Sequence, residues 1–141
     1  MREHVVNLAL KLVGCPYVWG GGNPWSGLDC SGFVVWIYQV VGILPSGDWT
    51  AAGISKSVLG HSVPSWTQLA PGDLVFYGAG PTEITHVMLF AGGTLVVGAS
   101  GGGRETTTLD EARLRGAQVK VKPWNYRRDA VAFIHVEFPG E

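Results

Sequence analysis

The stretch Leu28-Asp29-Cys30-Ser31-Gly32-Phe33 decides how this chain is organised. A cysteine lies here between an acid and a serine, after a loop rich in glycine and proline, and a continuous apolar run follows over residues 33–41. That run predicts a buried helix with Cys30 at its first turn, where unpaired N–H groups and the helix dipole favour an anion. We therefore expect a thiol with a lowered pKa that reacts as the thiolate. The alternative is a small buried core cysteine.

The composition predicts one compact domain over residues 1–141. Hydrophobic residues make up 46% of the 141 residues and charged residues 15%, with a formal net charge of -1. A chain of this size can bury a sizeable core. The absence of a basic footprint argues against binding to nucleic acid. Cys15 and Cys30 have neither disulfide-framework nor metal-site spacing, so we expect both to be reduced and no metal or cofactor to be needed.

The N-terminal residues 1–7 contain an acid and polar residues where a signal peptide requires an apolar core. Glycines, prolines and charges interrupt every apolar stretch, which argues against a membrane span. We expect a protein that is synthesised in the cytoplasm without a signal peptide.

Helix patterns come first in the chain and strand patterns later. Helical spacing covers residues 2–13, and a short polar helix is predicted over 49–58 after a turn at 42–47. An irregular connection is expected over 60–72. Strands are predicted over residues 73–77, 84–90, 95–98, 119–121 and 130–136, with a hairpin at Gly92-Gly93 and a helical turn within 109–115. This order favours an α+β fold with an antiparallel sheet.

A cysteine nucleophile needs a base, and histidine serves best near neutral pH. Of the four histidines, His86 begins an apolar strand, where a polar side chain is poorly placed for packing alone. The other three, His4, His61 and His135, have ordinary structural interpretations. A helix that carries cysteine at its N-terminus, packed on a sheet that carries histidine, is the papain-type arrangement.

Four ordered segments now identify a family resemblance: residues 16–21 (PYVWGG), 29–34 (DCSGFV), 69–76 (LAPGDLVF) and the pair His86-Val87. Together they resemble the NlpC family of papain-like bacterial cell-wall cysteine peptidases. The resemblance implies a papain-like α+β fold with catalytic Cys30 and His86. It implies a peptidoglycan hydrolase, a thiol endopeptidase that cleaves stem peptides between γ-D-glutamate and the diamino acid through a thioester.

The same resemblance implies substrate-binding roles for Tyr17, Asp29 and Ser31, because they match family positions that hold the free amine and the amides of L-Ala–γ-D-Glu. A carboxylate is a charge-assisted partner for an ammonium group. The alternative for Asp29 is a helix N-cap. The backbone N–H of Cys30 is the natural oxyanion donor, with the Tyr17 hydroxyl as a second candidate.

One position departs from the family pattern. The family places a third polar residue, often histidine, on the next strand to orient the imidazole, and that position here is Gly98. Its role passes to a water, a backbone carbonyl or Ser100. A polar and aromatic group near the C-terminus either flanks a groove for an anionic polymer or packs the end of the sheet, and we expect packing. This group consists of Trp124, Tyr126, Arg127 and Arg128.

Two other functions use the same residues. An amidase of the N-acetylmuramoyl-L-alanine type would employ the same Cys/His pair, and a degenerate wall-binding module would follow from Gly98. The expected partners are peptidoglycan stem peptides, with a phage tail, a secretion machinery or an immunity protein as further candidates. The protein is expected to act on the cell wall after release or delivery, as an endolysin, tail component or effector.

Overall fold

The computed structural model describes residues 1–44, 49–56 and 60–141. Its helices are α1 (Arg2–Lys11), α2 (Cys30–Val40), α3 (Ala51–Ser55) and α4 (Leu109–Arg115). The predicted turn at 42–47 and helix at 49–58 extend into residues 45–48 and 57–59, which lie outside the described residues. No helix in the described ranges has the length and apolar content that a bilayer crossing requires.

The strands form one large antiparallel sheet and one small hairpin. The hairpin pairs β1 (Gly22–Asn23) with β2 (Gly27–Leu28). The large sheet contains β3 (Gly60–Val63), β4 (Leu74–Gly78), β5 (Ile84–Gly92), β6 (Leu95–Ser100), β7 (Gln118–Pro123) and β8 (Ala130–Val136). Its order is β3-β8-β4-β5-β6-β7. The predicted α+β class with an antiparallel sheet is confirmed, as is the turn between β5 and β6, where Gly92 and Gly93 both have positive φ.

The prediction of an irregular connection over 60–72 is wrong at its start. Residues 60–63 form the edge strand β3, which pairs with β8, and residues 66–68 form a 3-10 helix. Both exposed and half-buried positions occur along β3, and its sequence Gly-His-Ser-Val lacks the apolar alternation that marks a strand. Pairing with β8, whose partner residues lie 70 to 76 positions later in the chain, creates this strand.

Helix α2 is the central helix of the fold. Its residues Phe33, Val34, Ile37 and Tyr38 are completely buried, as expected for a helix with apolar residues on most of its circumference. The Tyr38 hydroxyl donates to the Gly72 carbonyl oxygen at 2.6 Å, which ties the helix to the turn before β4. This packing fixes the position of the helix N-terminus, and therefore of Cys30.

The two faces of the large sheet are covered differently. Alternate residues of β4, β5 and β6, including Phe76, Val87 and Val97, belong to the core that includes α1 and α2. The opposite face forms a smaller cluster that contacts Trp124 and Tyr126. These two residues lie in the connection from β7 to β8, which must pass β6, β5 and β4 to reach its place in the sheet. The crossing connection brings residues from the end of the chain to the start of β5.

Candidate active site

A cleft of about 640 Å³ lies where the N-terminus of α2 meets the start of β5. It is lined by all five residues that the sequence predicts for the site, namely Tyr17, Asp29, Cys30, Ser31 and His86. Its other lining residues include Trp19, Ser100, three consecutive glycines at 101–103, Arg104 and Arg127. The structure therefore brings together residues that are as much as 110 positions apart in sequence.

Cys30 is the first residue of α2 and is partly accessible from the cleft. The backbone N–H of Val87 hydrogen bonds to its thiol, which places the sulfur at the start of β5, next to His86 in sequence. Burial raises the pKa of the Cys30 thiol, the Asp29 charge raises it further, and backbone hydrogen bonds only partly oppose this. The expected lowering of the thiol pKa is therefore wrong, because desolvation outweighs the helix N-terminus. The resting thiol is neutral.

His86 is 7% exposed, and its ring lies beside the rings of Tyr77 and Tyr126. Its Nε2 lies 2.8 Å from the Tyr126 hydroxyl oxygen, which in turn lies 3.3 Å from Ser100 Oγ. Burial lowers the pKa of the His86 imidazole, and the Arg127 charge lowers it further. The imidazole is thus neutral over the physiological pH range and can accept a proton.

Gly98 is not the residue that faces His86. Strands β5 and β6 pair Leu89 with Val97, and continuing this register for three residues places Ser100 opposite His86. A side chain at Gly98 would meet Met88 instead. Of the three candidates named for the missing orienting group, the strand register favours Ser100. Its hydroxyl contacts Tyr126, a residue for which the sequence predicted a packing role.

Asp29 is the N-cap of α2, so that interpretation is confirmed. Its Oδ1 accepts the Gly32 N–H at 2.7 Å and its Oδ2 accepts the Gly20 N–H at 3.0 Å. Ser31 Oγ donates to the same carboxylate at 3.3 Å. The cap satisfies a helical N–H group that would otherwise lack a partner. The carboxylate still lines the cleft, and its role toward an ammonium group remains a prediction.

Tyr17 forms part of the cleft wall beside this carboxylate. Its side chain is buried, and this burial raises the pKa of the phenol, so that the hydroxyl keeps its proton. The ring lies directly against Gly102: a Cβ atom on that residue would overlap the ring. The three glycines at 101–103 therefore belong to a closely packed wall of the cleft.

Two guanidinium groups supply positive charge to the cleft. Arg127 pairs with Asp129 through two hydrogen bonds of 2.9 and 2.6 Å. Arg104 lies 5.9 Å from the centre of the Trp19 ring, and no carboxylate in the described parts of the chain forms an ion pair with it. Among the described residues, no cluster of three His, Cys, Asp or Glu side chains could hold a metal ion.

Comparison with known proteins agrees with the geometry of the cleft. The sequence profile of the NlpC/P60 family matches residues 14–122. The chain belongs to the NlpC/P60 family. It is 43% identical over 94 residues to the bifunctional muramidase/DL-endopeptidase CwlT of Bacillus subtilis, an alignment that covers 64% of this chain and 26% of that protein. It is 37% identical over 114 residues to dipeptidyl-peptidase 6 of Lysinibacillus sphaericus, covering 78% of this chain and 37% of the relative.

Solved NlpC/P60 domains share the fold. The NlpC/p60 domain of the peptidoglycan hydrolase SagA superposes with a TM-score of 0.72 at 31% identity, covering 98% of this chain and 99% of that domain. The P60 domain of antigen MAP1204 from M. avium subspecies paratuberculosis gives 0.72 at 25% identity, covering 97% and 96%. The predicted papain-like fold and the family resemblance are confirmed. The chain spans about a quarter of the length of curated relatives such as CwlT.

Sequence reasoning missed Arg104 as a residue of this NlpC/P60 cleft, and it missed the contact of Tyr126 with His86. Tyr126 lies 40 residues after His86 and reaches it only because β8 inserts between β3 and β4. No local pattern in the sequence reports that strand order. Arg104 follows three glycines. A single cation after an otherwise neutral, glycine-rich segment was the sequence feature that could have indicated a binding residue.

Proposed function

We propose that this chain is a cysteine endopeptidase that hydrolyses peptidoglycan stem peptides. The family supports cysteine-peptidase chemistry, and the names of relatives support the substrate: CwlT is named a muramidase/DL-endopeptidase, and RipA of Mycobacterium tuberculosis a peptidoglycan endopeptidase. The bond that we propose is cleaved joins γ-D-glutamate to the diamino acid. The observation that carries the proposal is that Cys30 and His86 line one cleft with a polar pocket beside them.

The reaction begins with both groups neutral. The neutral imidazole of His86 accepts the thiol proton while the sulfur of Cys30 attacks the γ-carbonyl carbon, so no free thiolate is needed at rest. The backbone N–H of Cys30, one of the N-terminal groups without an intrahelical partner, donates to the oxyanion in this reaction.

The tetrahedral species collapses when His86 returns the proton to the departing amine and the C–N bond breaks. This leaves the γ-D-glutamyl group on sulfur as a thioester. Water then attacks the same carbonyl carbon and gives a proton to His86. The C–S bond breaks, His86 returns that proton to the sulfur, and the carboxylic acid is released.

The charges of the cleft suit a substrate with charges of both signs. Asp29 offers a carboxylate for the amine of an L-Ala–γ-D-Glu unit, and Tyr17 and Ser31 offer hydroxyl groups for its amides. Arg104, which forms no ion pair within the described residues, offers a cation for the free α-carboxylate of the γ-linked glutamate. In a γ-linked glutamate the α-carboxylate is free on the residue that supplies the scissile carbonyl group, whereas in an α-linked peptide that carboxyl group forms the peptide bond.

The test is a mass-spectrometric digest of purified peptidoglycan by the wild type beside Cys30→Ala. Cys15→Ala is the matched control, because Cys15 packs against the core and does not line the cleft. We expect products that end in γ-D-glutamate from the wild type and the control, and none from Cys30→Ala. Products cut at the lactyl–alanine bond would assign the chain to the amidases.

Hydrolysis of peptidoglycan is the measurement that distinguishes an enzyme from a wall-binding module. The rate at which Cys30 is alkylated does not distinguish them. Burial raises the pKa of the Cys30 thiol, so slow alkylation near neutral pH is expected of an active enzyme as well. A wild type that binds wall fragments but releases no product would overturn the proposal. Delivery by a phage tail or a secretion machinery, and action on the wall after release, remain predictions.

A further inference from the structure

The contact between His86 and Tyr126 has a consequence for the reaction proposed above, and this inference rests on His86 acting as its base. The imidazole Nε2 lies 2.8 Å from the Tyr126 hydroxyl oxygen, and Ser100 Oγ lies 3.3 Å beyond it. All three groups are shielded from bulk solvent to some degree, with His86 only 7% exposed. The ring is therefore held from one side by a chain of two hydroxyl groups.

We propose that Tyr126, supported by Ser100, is the positioning residue that orients His86 for proton transfer from Cys30. It takes the role for which Gly98 has no side chain. Because Tyr126 occupies Nε2, the ring nitrogen left for the thiol is Nδ1. Nδ1 can accept a proton only in the neutral tautomer that carries its hydrogen on Nε2.

The direction of the hydrogen bonds follows from this tautomer. His86 Nε2–H donates to the Tyr126 oxygen, and the Tyr126 hydroxyl donates to Ser100 Oγ. Burial raises the pKa of the Tyr126 phenol despite opposing effects of Ser100 and Arg127, so the phenol keeps the hydrogen that this chain requires. When Nδ1 takes the thiol proton, the Nε2–H bond becomes charge-assisted and strengthens as the charge forms.

The connection from β7 to β8, which contains Tyr126, is anchored at both ends, so the Tyr126 hydroxyl has a fixed position. The Tyr77 hydroxyl donates to the Trp124 carbonyl oxygen at 2.6 Å on one side of Tyr126. On the other side, the Gly78 N–H donates to the Asp129 carbonyl oxygen at 3.0 Å. The Tyr77 and Tyr126 rings also meet edge to face, with centroids 5.7 Å apart. A fixed partner is what an orienting residue must provide.

The decisive measurement is the tautomer of neutral His86, read from long-range ¹H–¹⁵N correlation spectra. We expect the Nε2–H form in the wild type and a shift toward Nδ1–H in Tyr126→Phe. Tyr38→Phe is the matched control: it also removes one buried hydroxyl bond, the one to Gly72, but far from His86. It should leave the tautomer unchanged. An Nδ1–H tautomer in the wild type would overturn the proposal.

Kinetics on L-Ala–γ-D-Glu–diaminopimelate give the second readout. Tyr126→Phe should lower kcat roughly 10- to 100-fold with little change in KM, as is usual for residues that orient a reacting group. Ser100→Ala should cause a smaller loss, because Tyr126 still contacts His86. A kcat for Tyr126→Phe within twofold of wild type, with an unchanged tautomer, would reject the orienting role. The spectra require no hydrolysis, so they remain informative if the proposed peptidase activity fails.

Discussion

The guanidinium Nη1 of Arg2 lies 2.7 Å from the carboxylate Oδ1 of Asp73, whose side chain is completely buried. The same carboxylate accepts the Ala70 N–H and the Val136 N–H at 2.7 and 2.9 Å, and contacts His135 Nδ1 at 2.8 Å. It thereby links α1, the turn before β4 and the final strand β8.

Asp73→Asn should destabilise the protein by about 2–3 kcal/mol, because the amide nitrogen cannot accept a hydrogen bond and leaves a buried donor without its partner, although Arg2 keeps its ion pair with Glu141. Asp110→Asn is the control, since Asp110 is highly exposed and lies 3.8 Å from Arg113. That pair should be worth less than about 1 kcal/mol. Urea unfolding measures both, and equal losses would show that the buried network contributes little.

Asp29→Asn separates the capping role from the proposed contact with an ammonium group. Asparagine is as good an N-cap as aspartate, and the exposed Gly20 N–H that donates to Oδ2 can bond to water instead, so the free energy of unfolding should change by less than about 1 kcal/mol. The lost charge should raise KM about tenfold for a tripeptide with a free amine, given the usual strength of charged hydrogen bonds. An N-acetylated tripeptide is the control substrate. Equal effects on KM for both substrates would exclude the contact with the ammonium group and show that Asp29 serves only as the helix N-cap.

Arg104→Gln should raise KM by roughly three- to fivefold for stem peptides whose γ-linked glutamate has a free α-carboxylate, the range expected for an exposed ion pair. Substrates with this carboxylate amidated should show no such change. Arg113→Gln, a highly exposed cation on α4 outside the cleft, is the matched control. A similar KM for both substrates in wild type and Arg104→Gln would remove Arg104 from substrate binding.

Acid should destabilise the fold through His86. Burial lowers the pKa of its imidazole below the ordinary 6.5, so below pH 6.5 the unfolded chain binds a proton that the folded chain does not. The free energy of unfolding should therefore fall with decreasing pH, by up to about 1.4 kcal/mol per pH unit from this group. His86→Gln should flatten the curve between pH 6.5 and 4.5. Parallel curves for the two proteins would contradict the prediction.

Gly102→Ala should disturb the cleft wall, because the added methyl group would overlap the buried ring of Tyr17. Overpacking of this kind typically costs about 1–3 kcal/mol, and displacement of Tyr17 should also raise KM. Gly80→Ala is the control, since a Cβ atom there would meet nothing within 4 Å. Thermal unfolding and peptide kinetics on both variants test the contact.

Local sequence signals predicted the elements that local interactions form. The apolar run after Cys30 gave helix α2, and the glycine pair at 92–93 gave the hairpin between β5 and β6. The five residues chosen for the site all line the cleft, because the family motifs lie at the ends of these elements.

Features that depend on the assembled fold were not predictable. The helix N-terminus suggested an acidic thiol at Cys30, but the protein packed around the sulfur reverses the direction of its pKa shift. The family pattern selected Gly98, whereas the register between β5 and β6, continued from Leu89 and Val97, places Ser100 opposite His86. Tyr126 enters the site through a connection that crosses three strands, and that route follows from the order of the sheet.

The three glycines at 101–103 form part of the cleft wall, so the surface that they present to a bound peptide is main chain. An alanine scan there would add a methyl group, as at Gly102, and would leave the N–H and carbonyl contacts in place. It would therefore report crowding of the wall and not the contribution of its main-chain groups. Semisynthetic replacement of one of its amides by an ester would delete a single donor and could expose its contribution to recognition.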